Sequence, residues 1–444
     1  MTEAVSHQQS VFDFVLDSFI IHSHRHQDPI DVTQNVSVFD IFESIEKPFL
    51  TGSVIIRDDM RLYDGTKING TEVCEVVLSQ PSTDAVPVFL TFVIQYVKGT
   101  QKVGDTVEML DLKLIEQSAF HSNLKQFSKS YQGTPTEIIT KICKDQLGLA
   151  IDPPRIQESQ GAMKVVIPYL RPFEACNMIL RRMSTVDGLP YFLFKTIKDE
   201  PLQLKSFEEL VETDSWTQQP YVFSNSNAKS ALNDLSVNSL FNVENYQANG
   251  TDGIFNLIKT GGVGSHYMVT DMTSGQSEKF KHNLDDLYNT LYAIGILKDE
   301  EESDIATGVY EMDNVPVEEM NSVNVHRLIS NNTYNDIKNI YEETDAGSLK
   351  LDATRNALFK LLNKSAMSIT VAGMPYLLDD ENRSIGRNFD FLYTANNSHN
   401  PESSDDLLDK KRSGKFLIYN ARHVFDENEQ HRTSLMGVKL GQLK

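Results

Sequence analysis

Cysteine is scarce in this chain: three residues in 444, Cys74, Cys143 and Cys176, lie far apart and never as Cys-x-x-Cys. That usage fits a reducing compartment and argues against a disulfide framework or a structural zinc. Trp216 is the single tryptophan. One tryptophan makes a carbohydrate-binding aromatic platform a weak reading and suits a packing or interface anchor better. Basic residues are also short, 41 Lys and Arg against 62 Asp and Glu, for a net charge of -21. Gripping nucleic-acid phosphates or an anionic bilayer needs a basic face, so both partners are disfavoured as tight ligands. The longest apolar stretch, Val86–Val97, is interrupted by Pro87, Thr91 and Gln95 and is too short to span a membrane. Met1 to His7 has neither the basic nor the apolar region of a signal peptide. The hydrolase signatures H-E-x-x-H and G-x-S-x-G are absent. The expectation is a soluble, cytoplasmically made protein with no membrane anchor.

What is present is an ordinary globular composition, 40% hydrophobic and 9% aromatic with a mean hydropathy of -0.33, enough for about two to four domains. Residues 1–116 read as β, with Val54–Ile56, Val73–Leu78 after the Asn69-Gly70 turn, and a hairpin of Val88–Val97, a turn over Gly99–Gly104, and Thr106–Ile115. Residues 117–215 read as α/β. Thr134-Pro135-Thr136-Glu137 opens a helix that Gly148 ends, and Arg171-Pro172-Phe173-Glu174 opens another that Gly188 closes. The buried strand Tyr191–Phe194 follows. Residues 216–260 and 366–444 return to β, notably at Leu232–Leu240, Met367–Val371, Asn388–Tyr393 and Phe416–Val424. Between them, 261–365 reads as a polar helical insertion. Its stretch Lys298–Ala346 holds 13 acidic and 3 basic residues, whereas Pro401–Lys444 is near neutral. The fold class is therefore mainly β with α+β: two β regions that each suggest an antiparallel sandwich or barrel, an α/β unit between them, and a helical insertion in the second.

The order of elements occurs twice. Phe92-Val93-Ile94-Gln95-Tyr96-Val97, a polar turn and Thr106–Leu114 echo Phe416-Leu417-Ile418-Tyr419-Asn420-Ala421, a polar turn and Thr433–Leu440. Each hairpin follows a turn and strand, Ile68–Val73 in one case and Ser384–Phe389 in the other. Two similar β domains in one subunit let a trimer present six similar units about an axis, which joins a three-fold object to a six-fold one.

With this layout the chain resembles the baseplate central hub proteins of contractile-tailed, T-even-like phages and the N-terminal half of type VI secretion spike proteins. The residues that carry the likeness are the closing hairpin Gly414–Phe425 with Thr433–Leu440, its partner Phe92–Ile115, the unit from Arg171 to Phe194, and Met367–Gly373 before Ser384–Tyr393. The resemblance implies two tube-like antiparallel β-barrel domains with an α/β domain between them and the helical insertion in the second barrel, in a non-enzymatic virion protein of the tail baseplate, assembled in the host cytoplasm as a homotrimeric ring. A spike protein would bind below it, and a tail tube or hub-adaptor protein above. The tape measure protein and DNA would occupy the bore, and no cofactor would be needed. Lateral contacts are expected from strands carrying Phe92, Ile94, Tyr96, Leu112 and Leu114, and Phe416, Ile418, Val438 and Leu440, since edge strands pair across subunits to close a ring.

The remaining chemistry is sparse. His22, His24 and His26 at alternate positions would line up on one strand face as metal ligands, or form a polar strand end at a rim. Thr260-Gly261-Gly262-Val263-Gly264 lacks the Lys-Ser/Thr of a phosphate cradle and reads as a loop. Asp58-Asp59, Asp285-Asp286 and Asp379-Asp380 read as solvated turns, with metal or acid/base work as the alternative. A tail-associated cell-wall hydrolase needing a carboxylate pair in a cleft, and a receptor-binding module, are the competing functions.

Overall fold

The structure, a computed structural model, describes residues 14–25, 28–59, 61–66, 68–79, 86–103, 107–154, 159, 163–198, 201–213, 215, 219–223, 241–248, 254–259, 261–272, 274–293, 311–312, 315–316, 323–329, 353–359, 366–373, 385–394, 408–409, 412–427 and 431–441.

The first β unit contains β1 (Val15–His22), β2 (Ile30–Asp31), β3 (Val36–Ser44), β4 (Thr51–Asp58), β5 (Val73–Ser79), β6 (Val88–Lys102) and β7 (Glu108–Glu116). Side chains at alternate positions turn inward: Phe39 and Ile41 on β3, Val54 and Ile56 on β4, Leu110, Leu112 and Leu114 on β7 are all buried. The hairpin is longer than the sequence predicts. Gly99–Lys102 continues β6, paired with β7 as far as Lys102 and Glu108, where a turn was expected.

The middle unit contains β8 (Phe127–Gly133), β9 (Ile151–Asp152), β10 (Met163–Leu170), β11 (Tyr191–Phe194) and β12 (Leu202–Ser206) with the helices Pro135–Ile142 and Pro172–Leu180. The first helix begins as expected: Glu137 N donates to Thr134 Oγ1 and Thr134 N to the Glu137 carboxylate, a reciprocal capping box with Pro135 at the first turn. One π-turn, Cys143–Leu147, follows, and Gly148 ends it at φ 71°. The second helix ends at Leu180, not at Gly188. Gly188 instead turns the chain at φ 83° toward β11. The two helices pack through Ile138, Ile142, Ala175 and Ile179, which brings Cys143 Sγ to 3.7 Å from Cys176 Sγ, both fully buried. Their separation of 33 positions in the chain gives no hint of that approach.

The second β unit contains β13 (Tyr221–Phe223) and β14 (Val243–Ala248). The insertion follows, with β15 (Gly264–Asp271), β16 (Ser277–Asn283), β17 (Glu311–Met312), β18 (Val315–Pro316) and β19 (Val323–Ile329). The unit resumes with β20 (Ala366–Ala372), β21 (Asn388–Tyr393), β22 (Gly414–Asp426) and β23 (His431–Gly441). The insertion is not purely helical. Its described residues form a three-stranded sheet in the order β16-β15-β19, with the helix Leu284–Ala293 and helical residues 353–359. Tyr267 and Phe280 stack across β15 and β16 at 4.9 Å, a cross-strand pair that favours a sheet here. Leu232–Leu240, Trp216, His26, Asp379-Asp380 and most of the Asn396–Asp409 loop lie outside the described residues.

The duplication is visible in the topology. The first unit has the order β2-β1-β5-β6-β7-β4-β3 and the second β13-β21-β22-β23-β20-β14, so every strand but the two-residue β2 has a counterpart in the same chain order. Even the irregularities repeat. The β6–β7 register shifts between Ile94 and Tyr96, and the β22–β23 register between Ile418 and Asn420. Ile94 N donates to Glu72 O, and Ile418 N to Arg387 O, tying each hairpin to the turn before it. Those turns contain Gly70 at φ 92° and Gly386 at φ 74°, left-handed conformations that glycine adopts without strain. One pairing differs: β1 runs antiparallel to β5, β13 parallel to β21.

The two units are not separate barrels. β3, the end strand of the first, pairs with β22 of the second from Val38↔Asp426 to Ser44↔Asn420, fusing both into one 13-stranded sheet. In the second unit the described strands come round to a single bridge, Val222↔Asn242, between β13 and the start of β14.

Candidate assembly interface

The β3–β22 seam holds the most enclosed polar cluster of the described residues. On β3 the alternation that buries Phe39 and Ile41 also turns Glu43 inward. On β22 the same rule turns His423 inward between Ala421 and Phe425. Glu43 lies opposite Ala421 in the ladder and reaches diagonally to His423, whose Nε2 is 2.8 Å from Glu43 Oε2, with both side chains at 0% exposure. The second carboxylate oxygen accepts the Ile197 N–H of the middle unit at 2.6 Å. One carboxylate therefore ties together the first β unit, the second and the domain between them. A buried carboxylate without donors would be costly, and these hydrogen bonds offset that cost.

The cluster continues onto β23. With Glu43 as acceptor, His423 Nε2 carries a proton and Nδ1 faces Thr433 Oγ1 and His431 Nε2, each at 3.4 Å. His431 stacks on Phe425 at 4.6 Å and meets Phe14 edge-on at 5.1 Å. Full burial, with His423 alongside, holds His431 well below the usual histidine range, so the ring is neutral. On the opposite face of the seam, Arg422 pairs with Asp40 at 2.9 Å and lies over the Phe42 ring, and Ser53 donates to Asp40 at 3.2 Å. The middle unit makes a second joint with the first, where Phe49 meets Phe173 at 5.8 Å; beside it, within the first unit, Leu50 N donates to Glu116 at 2.8 Å. Burial pushes the Glu116 carboxyl up, against that hydrogen bond.

Of the nine residues expected at lateral contacts, Phe92, Ile94, Leu112, Leu114, Phe416, Ile418, Val438 and Leu440 are buried in the chain's own core. Their side chains hold the subunit together. Tyr96 is the exception, at 50% exposure. It begins the part of β6 that extends beyond β5: the β5 ladder stops at Val93, so Gln95–Lys102 pairs with β7 on one side only among the described residues. Among the described residues this projecting hairpin, unlike the hairpin bodies, has an unpaired edge.

The other candidates do not converge. His22 makes a half-exposed pair with Glu75 at 3.2 Å, and His24 lies in the turn beyond β1. Asp58 is no solvated turn: it is buried and accepts from Leu62 N and Tyr63 N, holding the start of a short helix. Asp286 is exposed on its helix. The glycine run packs as a tight entry to β15, with Val263 buried and His282 Nε2 3.3 Å from Gly262 O. Among the described residues no group of three His, Cys, Asp or Glu is placed to hold a metal, and no helix is long and apolar enough to cross a membrane. The Glu43–His423–His431 cluster was missed from sequence, although its signal is there: a carboxylate and two imidazoles on the apolar face of alternating strands.

No protein-family model and no curated protein matches the chain. Solved structures do. The tail protein of Neisseria meningitidis MC58 is 12% identical, with 96% of this chain covering 97% of that one at a TM-score of 0.52. The 43 kDa tail protein of prophage MuSo2 from Shewanella oneidensis is 9% identical over 95% of this chain and 98% of its own, at 0.49. A type VI secretion component of E. coli is 8% identical over 94% and 76%, at 0.41. The first of these carries the comparison, because it aligns both chains almost end to end at a TM-score above 0.5. This chain has the fold of the Neisseria tail protein across nearly its whole length.

Proposed function

We propose that this protein is a structural, non-enzymatic hub of a contractile tail baseplate. Three copies form a ring that adapts a three-fold spike to a six-fold tail tube, starts tube assembly and encloses the channel for the tape measure protein and DNA. In this reading the domains divide as 1–116, 117–215, 216–260 with 366–444, and the insertion 261–365. The hub is assembled in the host cytoplasm and carried in the virion tail. The observation that carries the proposal is the matched strand order of the two β units, down to the shared register shift after Ile94 and Ile418. Three chains with two equivalent units each present six equivalent surfaces. The projecting Gln95–Lys102 edge is the element suited to pair with a neighbouring copy. The net charge of -21 suits a conduit that DNA passes without sticking.

Negative-stain images of the purified protein, with its mass by light scattering, test this. A three-fold ring with six β units around the channel is expected. A monodisperse monomer that stays monomeric with its spike partner would overturn it.

A further inference from the structure

Outside the seam, one groove breaks the acidic character of the surface. It encloses about 570 Å³ where the helix Pro172–Leu180 faces the insertion, and Leu170, Glu174, Met178, Arg181, Arg182 and Arg327 line it. Arg181 and Arg182 follow the helix end, where cations are favoured by the helix dipole. Arg327 comes from elsewhere, on β19. It is one of three basic residues in the segment 298–346, against 13 acidic ones. Arg181 and Arg327 are exposed and have no ion-pair partner among the described residues. The one carboxylate in the groove, Glu174, is engaged by Arg171 at 3.2 Å. In a chain of net charge -21, two guanidinium groups brought together from separate units, and unpaired among the described residues, form a local positive field.

We infer that this groove binds an extended acidic peptide segment of a partner protein. Three observations favour a peptide over a polyphosphate. Arg327 belongs both to the groove and to β19, which pairs only with β15 among the described residues, so its outer main-chain edge can accept an added strand. Leu170 and Met178 give the groove an apolar floor, suited to alternate side chains of a strand, and Tyr169, next to Leu170 in the chain, is 66% exposed. Tyr169 is also held at φ 55°, where the β8–β10 register breaks between Ile167 and Leu170 and lifts the residue off its ladder. Finally, the acidic chain as a whole repels a polyanion far more than a short peptide with a few carboxylates.

The test uses the full chain and a fluorescein-labelled peptide of about ten residues alternating Glu and Val, with a single-stranded oligonucleotide of similar length as the polyanion control. Anisotropy is expected to show saturable peptide binding that weakens as salt rises from about 0.05 to about 0.5 M. Binding should fall by roughly tenfold in Arg181→Glu with Arg327→Glu, and less in Arg327→Gln, at unchanged melting temperature. Amide exchange at Val323–Leu328 should slow with peptide bound. Absence of saturation, equal binding by the charge-reversed variant, or oligonucleotide binding as tight as the peptide would overturn the inference.

Discussion

His423 Nε2 and Glu43 Oε2 lie 2.8 Å apart, fully enclosed, although 380 residues separate them. Replacing Glu43 with Ala leaves the imidazole and the Ile197 N–H without their acceptor. It should cost about 3–5 kcal/mol of stability, the range for breaking a buried pair by removing one partner. Denaturant unfolding of Glu43→Ala, His423→Ala and the double variant checks this. The double variant should lose much less than the sum of the singles, because each single strands the other's partner.

Acid should weaken the same seam through His431. The folded state holds this ring well below the ordinary histidine range, so the unfolded chain takes up a proton first as pH falls below about 6.5. The unfolded state then binds more protons, and stability falls with pH by up to about 1.4 kcal/mol per unit from this group. Titratable groups facing it from neighbouring strands are His423 on β22 and Glu43 on β3. His431→Gln should flatten that part of the stability–pH curve relative to wild type. Parallel curves would refute the assignment.

Two glycines separate backbone strain from crowding. Gly386 and Gly188 have φ 74° and 83°, but a Cβ at Gly386 would sit 3.0 Å from Phe194 and Leu210, whereas Gly188 has open space. Gly188→Ala should cost about 1 kcal/mol for the left-handed backbone. Gly386→Ala should cost more by about 1–3 kcal/mol, since the crowded atoms belong to a packed core. Thermal melts of the two variants give the comparison directly.

The free edge on β6 should matter to assembly and not to folding. Tyr96→Lys, with a lysine also at Thr100, puts charge on the unpaired strand, the usual protection against edge pairing. The subunit melt should shift by no more than about 0.5 kcal/mol. The mass by light scattering should fall from ring to subunit. An intact ring in this variant would move the lateral contact elsewhere.

Cys74, Cys143 and Cys176 are buried, and burial pushes the Cys74 thiol up, while Cys176 is raised first by its contact with Cys143 and then by burial. All three should resist a thiol reagent in the native protein and react on unfolding.

Several features were legible in the residues because they depend on neighbours in the chain. Thr134-Pro135-Thr136-Glu137 carries its own cap, Tyr191–Phe194 its own burial, and the order of turn, strand and hairpin its own repetition. Alternation along β3 and β22 puts Glu43 and His423 on their inner faces, yet it could not say that those faces meet. Pairing partners are chosen by which edges remain open after each unit folds, and period-two patterning is the same for every candidate edge. That is why the tertiary structure alone decided that the two β units fuse through β3 and β22, that Phe92 and Ile418 serve the core, and that Cys143 lies against Cys176. It also placed Arg327, from the most acidic stretch of the chain, beside Arg181. The scarcity of basic charge, read first as a bar to anionic partners, holds for the chain as a whole. Charge counts sum over a sequence, but a partner meets only the side chains that folding brings to one surface.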